Sequence, residues 1–223
     1  MSLPSTPPAG SRPRAVLFDF DGTLADSYDA ITASANHVRA AHGLPPLPQS
    51  EVRLHVGRGL ERLLEIMAPG TDQARNLTLY RAHHVTVMKD HTRLLPGARD
   101  ALGALKQAGF RLGVCSNKKV AFTRELLAFL GLTPLFDVVL GPDDVPRPKP
   151  AADMILEALR RLGVAKDEVV YVGDMAVDVE TARAAGVTVW VMPTGSHDRA
   201  TLAEAKADRL LDDLNAVRAE LTG

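Results

Sequence analysis

The 223-residue chain predicts an α/β protein, a doubly wound and mostly parallel sheet interrupted once by an all-helical insert. Three observations carry that expectation. Short apolar runs recur that suit strands buried on both faces. Amphipathic segments alternate with them. One long stretch near the N-terminus holds helical patterns alone.

The first strand is expected at Ala15–Phe18, between Arg14 and Asp19. Four further runs resemble it, at Arg111–Cys115, Phe136–Leu140, Glu168–Val172 and Val187–Val191, and Asp208–Leu211 offers a sixth. Helices are expected between them, at Ala98–Ala108, Val120–Leu130, Ala151–Leu162 and Val177–Ala185. They run into Gly109, Gly131, Gly163 and Gly186, where a helix C-terminus favours glycine. From Ser27 to Leu94 the pattern is helical only. Ser27 is placed to N-cap a helix with Ile31, Ala35, Val38 and Ala41 on one side. The proline-rich Leu44–Pro48 ends it, Ser50-Glu51 opens another, Gly57-Arg58-Gly59 punctuates, and a longer helix is expected over Asp72–Lys89. The expected organisation is a flexible tail at 1–13, a core of 14–26 and 95–223, and a helical cap of 27–94.

Composition narrows the class of function. Lys and Arg total 26 against 27 Asp and Glu, without the positive excess that a broad nucleic-acid surface needs. The single cysteine excludes an intramolecular disulfide framework. The Pro/Ser-rich N-terminus has no apolar signal region, and no run approaches the ~18 apolar residues of a membrane span, so the cytoplasm is the expected location.

In open α/β sheets, ligands bind beyond the carboxyl ends of the strands. There the sequence puts Asp19-Phe-Asp21-Gly22-Thr23, Ser116-Asn117-Lys118, Arg147-Pro-Lys149-Pro150 and Gly173-Asp174-x-x-x-Asp178. Several carboxylates in one crevice repel one another unless a cation joins them, and hard oxygen donors suit Mg²⁺. An aspartate in such a site can attack phosphorus, while a second serves the leaving group and then a water. Lys149, Ser116, Asn117 and N–H groups near Gly22 are expected to bind the phosphoryl oxygens.

These four motifs, in this order, resemble those of the haloacid dehalogenase-like (HAD) hydrolase superfamily. The likeness extends over everything after the tail and is strongest to its phosphoglycolate phosphatase-like group, through Phe20–Ser27, Val56–Gly59, Gly109–Lys118 and Arg147–Pro150. It implies a Rossmann-like core with a C1-type helical cap. It also implies Asp19 as nucleophile and Asp21 as general acid/base. Mg²⁺ would be held by Asp19, the Asp21 main-chain carbonyl and Asp174, with Asp178 acting from behind or through a water. The implied substrate is a small phosphorylated metabolite, 2-phosphoglycolate first. Ala152, where many relatives carry a second proline, and the Met192–His197 stretch depart from that pattern.

Simpler readings apply to the remaining features. Cys115 lacks the arginine of a Cys-x5-Arg phosphatase loop, since the sixth residue after it is Ala121, and it reads as a buried strand residue. His83, His84 and His91 read as surface histidines of the cap. Gly57-Arg-Gly59 is either a hinge or a place where Arg58 meets the non-phosphate end of the substrate. A dehalogenase has no use for Asp21. A phosphonate hydrolase needs a cap lysine, and the insert offers only Lys89, near its end. A sugar-phosphate mutase of the β-phosphoglucomutase kind and a catalytically silent binding module are the remaining alternatives. The sequence carries no decisive signature of oligomeric state.

Overall fold

The computed structural model describes residues 13–223; apart from Pro13, the expected tail lies outside the described residues. The elements in chain order are β1 (Ala15–Phe18), β2 (Ala25–Asp26), α1 (Tyr28–Ala41), α2 (Gln49–Arg53), α3 (Leu60–Met67), α4 (Gln73–Val87), β3 (Arg93–Leu94), α5 (Ala98–Gln107), β4 (Arg111–Cys115), α6 (Val120–Phe129), β5 (Val138–Leu140), α7 (Asp153–Leu162), β6 (Val169–Gly173), α8 (Ala176–Ala185), β7 (Thr188–Val191), α9 (Arg199–Glu204), β8 (Arg209–Leu210) and α10 (Leu214–Thr222).

Six strands form one all-parallel sheet in the order β5-β4-β1-β6-β7-β8. Counted along the chain, these six stand 3-2-1-4-5-6, the doubly wound order whose reversal falls between β1 and β6. The apolar runs explain why the central strands β1 and β6 are buried on both faces. Val16 and Phe18 join Leu112, Val114, Val170 and Val172 in one core, covered by α5, α6 and α10. Ala15 and Leu17 join Tyr171, Val189 and Val191 in the other, covered by α7 and α8. Successive strand residues point to opposite faces, so the same short runs feed both cores.

Helices α1–α4 carry a third apolar cluster of their own, built on Tyr28, Ile31, Val38, Leu64, Met67 and Tyr80. Three local expectations need correction. The insert is not free of strand: Arg93–Leu94 pairs antiparallel with Ala25–Asp26, so the two segments joining insert and sheet run side by side. Ala41 is exposed because α1 ends there. Ser27 sits at the N-cap position of α1, but its hydroxyl makes no cap bond; it donates to Asp21 instead. Asp26 replaces it, accepting from Tyr28 N at 3.1 Å.

Candidate active site

Beyond the carboxyl end of β1 the chain turns at Gly22, and β6 ends beside it, so Asp19 and Asp174 meet at the topological reversal. Carboxylate oxygens of Asp19, Asp174 and Asp178 all come within 4.8 Å of one another. All three side chains are buried. Lys149 enters from the loop before α7 and is completely buried, its Nζ 2.9 Å from Asp19 and 2.8 Å from Asp178. The Nζ also donates to the Tyr171 hydroxyl at 3.0 Å. The two carboxylates raise the pKa of Lys149 despite a burial cost that lowers it.

The hydrogen-bond inventory separates the three acids. Asp178 Oδ1 stands against Lys149 and Tyr171, and its Oδ2 accepts from the N–H groups of Asp174 and Met175. Its four acceptor positions are filled. Among the described residues, Asp174 accepts only from the Thr23 hydroxyl (2.7 Å) and Ser196 N (3.0 Å). Asp19 accepts from Phe20 N (2.7 Å) and pairs with Lys149. Asp19 and Asp174 therefore keep open positions while Asp178 supports from behind.

Charge shows what this cluster can hold. Three buried carboxylates face one ammonium, Lys149. Burial first, then Asp178 and Asp19, push the Asp174 carboxyl well above the ordinary carboxylate range. A divalent cation offsets such a deficit, and all-oxygen donors at two carboxylates fit Mg²⁺. Asp21 lies apart. Its carboxylate accepts from Ser27, and Lys118 Nζ lies 3.1 and 3.2 Å from its two oxygens. That carboxylate is not part of the cluster that could hold an ion.

The expected phosphate contacts are arranged differently. Gly22 spends its N–H on Ala25 O, so it is not a free donor to phosphate. Its role is steric: at φ +83°, a Cβ would lie 2.4 Å from the Tyr28 hydroxyl and 2.6 Å from Asp174 Oδ2. Asn117 is likewise committed. Its amide donates to Gly57 O and Lys149 O and accepts from Lys149 N, each at 3.0 Å. It fixes the lysine loop and ties it to the cap. Ser116 lines the cavity with its hydroxyl proton uncommitted, its oxygen accepting from Lys118 N at 3.3 Å.

A cavity of about 620 Å³ opens between this floor and the cap. Asp19, Asp21, Ser116 and Lys118 face it from the sheet side, and Arg58, Tyr80, Arg81 and His84 from the cap. Arg58 is also clasped to Glu180 of α8 at 2.7 Å on an exposed edge. His84 corrects the surface reading: it is buried, because Ser34 of α1 binds its Nδ1 at 3.0 Å and Tyr80 stacks on its ring. Its Nε2 has no partner. Burial and the Lys118 charge lower its pKa to about 2. His83 is half-buried, and His91 is exposed. Lys89 pairs with Glu125 outside the cavity. Cys115 is buried, which pushes its thiol up to about 12.

Comparison with known proteins agrees with this geometry. The haloacid dehalogenase-like hydrolase family model matches residues 16–192. The chain belongs to that family. Among curated members, a plasmid-encoded phosphoglycolate phosphatase of Cupriavidus necator is 35% identical, the match covering 100% of this chain and 95% of the relative. A phosphoglycolate phosphatase of Rhodospirillum rubrum is 38% identical over 90% of this chain and 88% of its own. The crystal structure of CbbY from Rhodobacter sphaeroides, in complex with phosphate, superposes with a TM-score of 0.79 at 27% identity, covering 91% of this chain and 95% of that one. The family's four-motif order was legible in the sequence. The sequence assigns no separate role to Lys118, Thr23 or Tyr171, although Thr23 and Lys118 stand inside the quoted motifs, and it presents His84 as a surface histidine. Among the described residues no helix is long and apolar enough to cross a membrane.

Proposed function

We propose that the chain is a Mg²⁺-dependent phosphomonoester hydrolase working through an aspartyl-phosphate, with 2-phosphoglycolate as its preferred substrate, and that it acts in the cytoplasm on small metabolites rather than on nucleic acid or membrane. One observation carries the mechanism. Two aspartates at the same cavity have different partners, Asp19 backed by Lys149 beside the acid cluster and Asp21 held by Ser27 and Lys118. Different surroundings give paired carboxylates different roles.

Asp19 attacks phosphorus as the bond to the leaving oxygen breaks, and Asp21 delivers a proton to that oxygen. A water then attacks phosphorus, Asp21 takes its proton, and the acyl-phosphate bond opens to regenerate the Asp19 carboxylate and free phosphate. Lys149 and Phe20 N hold Asp19 in place throughout. Asp19, Asp174 and the Asp21 main-chain carbonyl would hold Mg²⁺, which would supply charge neutralisation for the phosphoryl oxygens. Lys118 and the Ser116 hydroxyl face the phosphoryl end, and the cap excludes water.

Two relatives at 35% and 38% identity are phosphoglycolate phosphatases, and the roof suits an anionic leaving group. Arg81 lines the cavity with its Nε unpartnered. The test is a phosphate-release screen over phosphometabolites, with Mg²⁺ or with chelator, run beside Asp19→Asn. We expect Mg²⁺-dependent release, greatest with 2-phosphoglycolate, and none from a folded Asp19→Asn. Isomer interconversion in place of release, or near-wild-type turnover by Asp19→Asn, overturns the reading.

A further inference from the structure

The loop after β7, Met192–His197, has no part in the mechanism above, yet it touches the Gly22 turn, Asp174 and the start of α8. The Thr194 hydroxyl donates to Gly22 O at 2.7 Å, on the turn that follows Asp19 and Asp21. Ser196 N donates to Asp174 Oδ2 at 3.0 Å. His197 Nδ1 accepts from Ala176 N at 3.1 Å, at the start of α8. Gly195 lies so close to Asp174 that a Cβ there would fall 1.7 Å from Oδ2. The loop backbone is thus one wall of the candidate metal ligand, and only glycine fits it.

The cap grips this wall through Arg53 and Tyr28. Arg53 of α2 donates from Nε to Gly195 O at 3.0 Å and from Nη2 to Thr194 O at 3.2 Å, with a further Nη2 bond to Gly195 O. Its guanidinium lies over the Tyr28 ring, 4.5 Å from the centroid. The Tyr28 hydroxyl in turn meets the Ser196 hydroxyl at 3.0 Å. A planar fork with several donors can hold two neighbouring carbonyls and stack at once, which an ammonium cannot. Two routes therefore lead from Arg53 to Asp174, one through the loop carbonyls and one through Tyr28 and Ser196.

We propose that Arg53 is a positioning residue that couples the seating of the cap to the orientation of Asp174, and through it to divalent-cation affinity. The proposal rests on the reading of Asp19 and Asp174 as Mg²⁺ ligands. Groups that orient a metal ligand from behind change metal affinity when removed, commonly by about 10- to 100-fold. Arg53 acts one contact further out, so a smaller loss is expected, about three- to tenfold.

The test is calorimetric titration of Mg²⁺ into chelator-treated full-length protein, without substrate, for wild type, Arg53→Ala, Arg53→Lys and Glu180→Gln. Glu180→Gln breaks a different cap-to-core tie, Arg58–Glu180, and its side chain makes no hydrogen bond to the loop. Arg53→Ala is expected to weaken Mg²⁺ binding by that factor, Arg53→Lys to fall between it and wild type, and Glu180→Gln to match wild type. Arg53→Lys alone decides the matter if the alanine variant does not fold. Unchanged affinity in the Arg53 variants, or equal weakening by Glu180→Gln, overturns the proposal. Wild-type protein that takes up no Mg²⁺ overturns the metal reading itself, and the proposal with it.

Discussion

The floor and the roof of the cavity are built on opposite terms. On the floor, Lys149 gives its N–H donors to Asp19, Asp178 and Tyr171, and Asp178 has every acceptor position filled. On the roof, among the described residues, His84 Nε2 and Arg81 Nε are buried without partners, and Arg58 is held by an exposed ion pair. A saturated polar network is rigid and costly to disturb, whereas an unpartnered buried group waits for one. The contrast suits the proposed function, with catalysis, whose geometry must stand ready, on the sheet and recognition of the leaving group on the cap.

Removing a partner from the floor should have the largest effect. Lys149→Met leaves Asp19 and Asp178 buried without their ammonium, and we expect a loss of about 3–5 kcal/mol in denaturant unfolding of the metal-free protein. A loss below about 1 kcal/mol, the range of exposed pairs, would show that the floor is not the tense network described.

The roof should respond through pH. His84 has a lowered pKa in the folded protein and an ordinary value near 6.5 when unfolded. The unfolded chain therefore binds the extra proton, and folded stability is full above pH 6.5 and falls as pH drops toward about 2. Between pH 7 and pH 5 this amounts to about 2 kcal/mol. His84→Phe should remove that share of the pH dependence, measured by urea unfolding at the two pH values. An unchanged slope would mean that His84 titrates normally and is not the buried acceptor described.

The smallest effect is expected at the cap edge. Arg58 and Glu180 are about half exposed, and Glu180→Gln should change stability by less than about 1 kcal/mol, with the change shrinking further in salt. A larger loss would make that edge part of the roof's fixed structure.

The sequence made the fold legible because the central parallel strands are buried on both faces and so read as unbroken apolar runs between helices. Asp208–Leu211 registers as a strand at Arg209–Leu210, with Asp208 N and Leu211 N bonding carbonyls of β7 at its two ends. The two-residue strand at Arg93–Leu94 left no pattern, because nothing in two residues distinguishes a strand from a loop. Residue types near the site were legible, but the direction of their hydrogen bonds was not. Gly22 and Asn117 looked like phosphate donors, yet their donors go to carbonyls that only the folded chain brings near. His84 looked like a surface histidine because the α4 pattern does not show that Ser34 of α1 and Phe122 of α6 close over it.

The central claim is that Asp19 becomes phosphorylated while Asp21 serves the protons. The direct measurement is mass spectrometry of acid-quenched Asp21→Asn after incubation with Mg²⁺ and p-nitrophenyl phosphate, whose leaving group needs no acid. Without the Asp21 base the second step should stall, leaving one phosphoryl group on the peptide that carries Asp19, and the same peptide from Asp19→Asn should carry none. Phosphoryl transfer to another residue, or phosphate release from Asp19→Asn at the wild-type rate, would contradict the account.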